Sequence, residues 1–118
     1  RLIDDPSFRR RLSEIEVELM ALEYTELRVL ASVSAGGSPG AESSILKIKG
    51  TELQQSIQTL MMDVAGLYGA VKKESEVSSG HDFGSAARVR YMYGRASTIY
   101  GGSNEIQKNI IAKAILGL

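Results

Sequence analysis

The 118 residues contain no cysteine and no tryptophan, and histidine occurs once, at position 81. Without cysteine, disulfides and thiol chemistry are excluded and a reducing compartment is permitted. One histidine excludes the paired Glu-x-x-His ligands that a carboxylate-bridged di-iron bundle draws from facing helices, so no metal is expected. Net charge is missing as well. Fourteen basic residues balance fourteen acidic ones, and no overall field attracts nucleic acid or an acidic membrane. No apolar run approaches the roughly 20 residues of a membrane span, and there is no signal-peptide pattern. The chain opens on Arg1 without an initiator methionine, so it is expected to be a piece of something longer.

What is present suits one helical domain. The length falls in the usual single-domain range, and a hydrophobic share of 43% supports a core even with only 6% aromatics. Asp4-Asp5-Pro6 is a helix start, an acidic cap followed by proline at the first helical position. From there Phe8, Leu12, Ile15, Leu19, Leu22, Val29 and Val33 recur at helical spacing, and nothing breaks the pattern before Gly36. That spacing predicts one helix of nearly thirty residues. Gly36-Gly37-Ser38-Pro39-Gly40 is the break. A second helix is predicted from near Ser38 or shortly after, with Leu46, Leu53, Ile57, Leu60 and Val64 as its apolar stripe and Gly50 as a point of close packing. Two long helices joined by a short loop lie antiparallel, as in a bundle. Gly66 and Gly69 end the second helix, and the polar run Lys72–Asp82, which holds His81, reads as an exposed loop. A shorter helix is predicted from about Ser85 to Ile99, with Val89, Met92, Ala96 and Ile99 inward. No internal repeat and no useful β-type alternation is present.

The closing stretch, Thr98-Ile-Tyr-Gly-Gly-Ser-Asn-Glu-Ile-Gln-Lys-Asn-Ile-Ile-Ala-Lys-Ala-Ile-Leu-Gly-Leu118, combines a glycine turn with an amphipathic helix. Ile106, Ile110, Ile111, Ala114, Ile115 and Leu118 share one side. Gly101 and Gly102 allow a sharp turn and a close ligand, and Ser103 is a helix cap. The first amides of such a helix, with the positive end of its dipole, make a place for an anion such as a phosphate. A turn plus a cap is the simpler account of the same residues.

Other candidates carry less. Glu14 and Glu18 lie one turn apart on a face without apolar neighbours and read as repelling surface charges. Arg9, Arg10 and Arg11 form either a phosphate contact or a solvated first turn. Met61, Met62 and the tyrosines at 68, 91, 93 and 100 read as core and interface fillers, with Tyr100 set apart by its place beside the glycines. Periodicity thus yields a helical bundle with one turn suited to an anionic ligand, and leaves function open.

The run Arg95-Ala-Ser-Thr-Ile-Tyr-Gly-Gly-Ser-Asn-Glu-Ile-Gln-Lys-Asn-Ile-Ile-Ala112 resembles the C-terminal motif of acyl-CoA dehydrogenases. There, an arginine is followed by Ile-Tyr, a variable residue, Gly-Ser/Thr and Glu/Gln-Ile-Gln before the last helix. The first two helices also resemble that family's C-terminal helical domain, and Asp63–Gly69 lies where the family has a glycine-rich cofactor loop. The fold implied is all-α: an antiparallel four-helix bundle, here lacking its first helix, spanning 1–118 and preceded in the family by a helical and a β-domain. The activity implied is FAD-dependent oxidation of an acyl-CoA thioester to its α,β-enoyl form. A carboxylate removes the α-proton, and the electrons pass on to an electron-transfer flavoprotein or similar acceptor. The resemblance further implies a homo- or hetero-tetramer in a bacterial cytoplasm, with each FAD shared between two subunits.

Residue by residue, the resemblance puts Gly102 near the thioester and Ser103, Asn104 and Glu105 on FAD. Asp63, Val64, Ala65, Gly66 and Leu67 approach the FAD of a neighbouring subunit, and Arg95 is structural. Four positions depart from the pattern. Gly101 occupies a common position of the catalytic base and cannot take a proton; in some members of the family the base sits on an earlier helix, which here would lie before Arg1, and others assemble from unlike subunits of which only one is catalytic. Asp63 replaces a glutamine, Leu67 a glycine, and Ala96 an aspartate that would pair with Arg95. The alternatives are a non-catalytic subunit with the dehydrogenase fold and a plain helical interaction module.

Overall fold

The computed structural model describes residues 1–70 and 83–117, with the side chain of Tyr68 excepted. The whole predicted polar loop with His81, Leu118 and the Tyr68 side chain therefore lie outside the described residues. Among the described residues five α-helices run in order: α1 Pro6–Ser34, α2 Glu42–Ala65, α3 Leu67–Ala70, α4 Phe83–Gly94 and α5 Asn104–Leu116. Short 3-10 turns at Leu2–Asp4 and Arg95–Thr98 complete the secondary structure, and there is no strand among the described residues. None of the helices is long and apolar enough to cross a membrane, again among the described residues.

The start of α1 follows directly from its sequence. The Asp5 carboxylate accepts from the amides of Ser7 at 2.7 Å and Phe8 at 3.4 Å, and Pro6 sits where no amide is needed. The helix runs 29 residues as expected and ends at Ala35, beyond which Gly36 adopts φ +90°. The second helix begins at Glu42, four residues after Ser38, because the Ser38-Pro39-Gly40 stretch stays non-helical. The antiparallel arrangement is explicit. Arg11 near the start of α1 reaches Asp63 near the end of α2 at 2.6 Å, whereas Thr25 further along α1 lies beside Ile45 at the beginning of α2.

α2 is the central element. It packs against α1 on one side and against α4, the 3-10 turn and α5 on the other. Leu53 is buried on the α1 side, beside Leu19 and Leu22. Gly50 also faces α1, where a Cβ would stand an ordinary 3.8 Å from Leu22. The other side of α2 carries Lys47, Thr51, Gln55 and Gln58 at steps of four, four and three. These polar groups face the protein, not water.

The third predicted helix differs from expectation in two ways. It turns from α into 3-10 at Arg95 instead of running to Ile99, and its buried residues are Gly84, Ala87 and Gly94. Val89, Met92 and Ile99 are exposed, and Ala96 is half-buried. Small side chains face inward because the backbones of α2 and α4 approach closely. A Cβ on Gly94 would overlap the Gln58 carboxamide. Likewise Ile106, Ile110 and Ile115 of α5 are exposed and only Ile111 of the large residues on the predicted stripe is half-buried; the helix meets α2 through Asn104 instead. Tyr93 and Tyr100 are exposed, not core fillers.

The apolar core is accordingly small. Among the described residues its buried apolar members are Ile48, Leu53, Leu60, Ala65 and Ala87. α1 buries no residue completely, and its outer face exposes a second stripe, Val17, Met20, Tyr24 and Leu27, at steps of three, four and three. Leu53→Ala should cost about 2–5 kcal/mol in denaturant unfolding, the usual range for a buried leucine. Gly50→Ala should add about 0.5–1 kcal/mol, since helix propensity improves and no neighbour is displaced. A destabilised Gly50→Ala would show that α1 and α2 approach more closely than described. So much uncovered apolar surface also predicts self-association of the isolated 118 residues. Light scattering should report mass above 12.8 kDa that rises with concentration, and a clean monomer would contradict it.

Candidate functional site

The predicted ligand turn lies between the 3-10 segment and α5. The amides of Ile99 and Tyr100 both return to the Ala96 carbonyl, at 2.9 and 3.0 Å, and close the 3-10 turn. Gly101 and Gly102 follow with φ +67° and +88°, a backbone that L side chains rarely adopt. A Cβ at Gly101 would meet nothing within 4 Å, whereas one at Gly102 would press on Gln107 Nε2 at 2.7 Å. The turn is therefore open on its outer side and tight against α5. Ser103 then caps α5, its hydroxyl accepting from the Ile106 amide at 3.3 Å, as its sequence position indicates.

Glu105 alters the expected anion site. Its carboxyl is held below the usual carboxylate range, chiefly by its own backbone N–H and then by the Ser103 hydroxyl; desolvation opposes the shift, and the charges of Lys108 and Lys47 add to it. The end of α5 is thus already served by one carboxylate of its own chain. A carboxylate stabilised in its charged form is also a poor proton acceptor, so Glu105 does not replace the base missing at Gly101.

Behind the turn lies a polar cluster that patterning did not identify. Lys47 Nζ donates to the Ser97 carbonyl at 3.0 Å and to Asn104 Oδ1 at 3.1 Å. Ser97 is 1% exposed and Asn104 6%. The Ser97 hydroxyl donates to the Gly94 carbonyl at 2.7 Å. The Gln55 carboxamide lies within 3.3–3.5 Å of Gly94 O, Arg95 O, Ser97 Oγ and Thr98 Oγ1. Arg95 is structural, as expected: it donates to Tyr91 O and Gln55 O, each at 3.2 Å, and to Gln58 Oε1 at 3.4 Å. Its guanidinium also covers the Tyr91 ring at 4.3 Å. A half-buried lysine among glutamines and threonine on a helix looks like a solvent face. Only the spacing 47-51-55-58 marked these residues as one side.

The second predicted cluster is elsewhere. Asp63 is engaged by Arg11, Ala65 is buried, Val64 is exposed, and Leu67, 87% exposed, follows Gly66 at φ +56°. Lys47 and Asp63 are sixteen positions apart on α2, roughly 24 Å along its axis. Within one chain the two clusters are not brought together. Of the three N-terminal arginines, Arg11 pairs with Asp63 and Arg10 with Glu14 at 4.0 Å. Glu14 and Glu18 are exposed, as expected of surface charges. They border a groove between α1 and α2, with Ile15, Glu52, Gln55 and Arg95. Among the described residues, no three His, Cys, Asp or Glu side chains gather where they could hold a metal ion.

Residues 1–116 match the family model described as "Acyl-CoA dehydrogenase, C-terminal domain". The chain is 36% identical over 98% of its length to the acyl-CoA dehydrogenase IpdE1 of Mycobacterium tuberculosis, covering 28% of that protein. It is 32% identical over its whole length to FadE26 of the same organism, covering 30% of it. Among solved structures it resembles the ChsE4-ChsE5 complex of Mycobacterium tuberculosis, with a TM-score of 0.72 and 30% identity, over 100% of this chain and 30% of that one. The Tcur3481-Tcur3483 steroid ACAD shares the fold, with a TM-score of 0.76 at 24% identity over 99% of this chain and 30% of that one. The chain spans less than a third of the length of these relatives.

Two measurements probe the site. Ser103→Ala should destabilise α5 by about 1 kcal/mol, read as faster amide exchange confined to residues 104–108. Because the Glu105 carboxyl is lowered in the folded state, its contribution is present above the ordinary carboxylate range and is lost as pH falls through the folded value. On acidification, amide exchange at the start of α5 should therefore exceed what its falling intrinsic rate predicts, an excess read as lost protection. Glu105→Gln should remove that excess, and an identical profile in the variant would refute the assignment.

Proposed function

Because the chain belongs to the acyl-CoA dehydrogenase family, as its C-terminal helical domain, we propose that it is the bundle portion of a FAD-dependent enzyme that oxidises an acyl-CoA to its α,β-enoyl form. The observation that carries this reading is the open glycine turn set against the start of α5. Gly101 has empty space around it, Gly102 holds a backbone at φ +88° that side chains rarely adopt, and the amide end of α5 adjoins two lysines, Lys47 and Lys108. That arrangement fits a flat, phosphate-bearing group. Ser103, Asn104 and Glu105 would hold FAD, with Glu105 yielding part of the helix end to it, and the Gly102 backbone would border the thioester. FAD supplies the electron sink when bound.

This chain's own residues bind and orient. None of the residues at the turn is a suitable base: Gly101 has no side chain and Glu105 is held in its charged, weakly basic form. The proton is assigned to a carboxylate outside these residues. Asp63 through Leu67 stand about 24 Å from the turn along α2, so they would serve the FAD of another subunit. The exposed apolar stripes of α1 and α5 are the surfaces for a homo- or hetero-tetramer. The intact enzyme would work in the cytoplasm and pass electrons to an electron-transfer flavoprotein or similar acceptor.

A second reading, a base-free subunit that completes a partner's site, is favoured by Gly101 and by the likeness to a complex of two named components. The natural protein that carries these residues, purified and given an acyl-CoA, separates the two. Bleaching of a flavin band with enoyl-CoA formation supports the enzyme. Activity that appears only with a second polypeptide supports the subunit. Absence of flavin from both would remove the proposal. The isolated 118 residues are expected to retain no FAD and to show no turnover.

A further inference from the structure

We propose that Lys47 is the positioning residue of the glycine turn, holding its two ends with one ammonium group. Residues 98–103 hang between the Ser97 carbonyl and the Asn104 side chain, and both of these accept from Lys47 Nζ, at 3.0 and 3.1 Å. The six residues between include Gly101 and Gly102, the two with the greatest backbone freedom, and no other side chain described here bonds to both ends. A segment of this kind keeps one shape only if its ends are fixed, because each glycine otherwise samples both signs of φ.

Local bonds hold Ile99 and Tyr100 to Ala96 and Ser103 to α5, each at one end, and among the described residues no other side chain joins the two ends. Thr51 Oγ1 lies 3.3 Å from Asn104 Oδ1, but its single hydrogen has closer acceptors in the carbonyls of Lys47 at 2.9 Å and Ile48 at 3.0 Å. Gln55 reaches Ser97 through the hydroxyl at 3.4 Å and not through the carbonyl that Lys47 holds. Ser97 and Asn104 are both buried, so water cannot readily replace the ammonium.

The charge itself is informative. A cation beside the N-terminal end of a helix opposes the helix dipole, so Lys47 is not placed there to stabilise α5. It does suit a site that receives negative charge. It already acts on the Glu105 carboxylate, and it would act on an anionic group carried to the turn. The link to FAD rests on the function proposed above, whereas the tethering of the turn does not.

The test uses the natural protein with Lys47→Met and Lys47→Arg. Amide exchange is read at residues 98–106 and, as a control, along α1. FAD affinity is read by flavin fluorescence on the deflavinated protein. Lys47→Met should raise exchange at 98–106 at least tenfold with α1 unchanged, and weaken FAD about tenfold. Lys47→Arg should recover most of both. Unchanged exchange at 98–106 in Lys47→Met overturns the proposal. Faster exchange with unchanged FAD affinity confines Lys47 to the turn and overturns its role toward the ligand. If the unsubstituted protein binds no flavin, the functional reading fails while the exchange result still decides the tether. Should Lys47→Met not fold, Asn104→Ala releases only the α5 end: exchange should then rise at 102–106 and not at 98–99, and an even rise or none would contradict the two-ended tether.

Discussion

The structure depends on the polar seam of α2. Lys47, Thr51, Gln55 and Gln58 line one side of a 24-residue helix and meet the carbonyls and side chains of residues 94–104. In most bundles an inner helix face is apolar and its contacts are non-directional, which leaves the partner free to slide. Here hydrogen bonds specify which residue of the partner sits opposite which residue of α2. They do so where regular structure fails: α4 tightens to 3-10 at Arg95, the 3-10 turn ends at Thr98, and two glycines turn the chain into α5. A segment with this many carbonyls turned away from a helix needs donors, and the glutamines, lysine and arginine supply them.

The same seam explains the smallness of α4. Gly84, Ala87 and Gly94 face inward because directional polar contacts require close backbones, and a Cβ at Gly94 would displace the carboxamide that accepts from Arg95. The larger apolar residues of α4 and α5 are turned outward as a result. They join the outer stripe of α1 in an unusually apolar surface for one chain, in keeping with a bundle that spans less than a third of the length of its relatives. The Gly101–Glu105 turn and the Asp63–Leu67 segment point the same way, since one meets α2 at Lys47 and the other lies at its far end, too distant to meet within one chain.

Helix boundaries and the glycine turn were largely legible in the residues. Asp5-Pro6 announced the start of α1, Gly36–Gly40 the break, and Ser103 the start of α5, because capping and glycine act within a few residues and depend little on what lies across the bundle. The family motif was readable for the same reason, since it is carried by one continuous run. Inward faces were read well only where they are apolar. Leu53 and Leu60 were found, while the 47-51-55-58 side was not, and Val89 and Met92 were placed inside when they lie outside. Hydrophobic periodicity reports which residues water disfavours, and a helix whose inner contacts are hydrogen bonds hides them among residues that water would also accept.

By itself, the sequence determined that the chain is helical, where each long helix starts, that Gly101 cannot act as a base, and which family it belongs to. Each of these rests on local geometry or on the chemistry of a single side chain. Only the tertiary structure decided that Asp63 is held by Arg11, that small residues of α4 face inward, and that one lysine on α2 fastens both ends of the glycine turn. The partners of Lys47 lie fifty and fifty-seven residues away in the chain, and no spacing rule within a helix reaches that far.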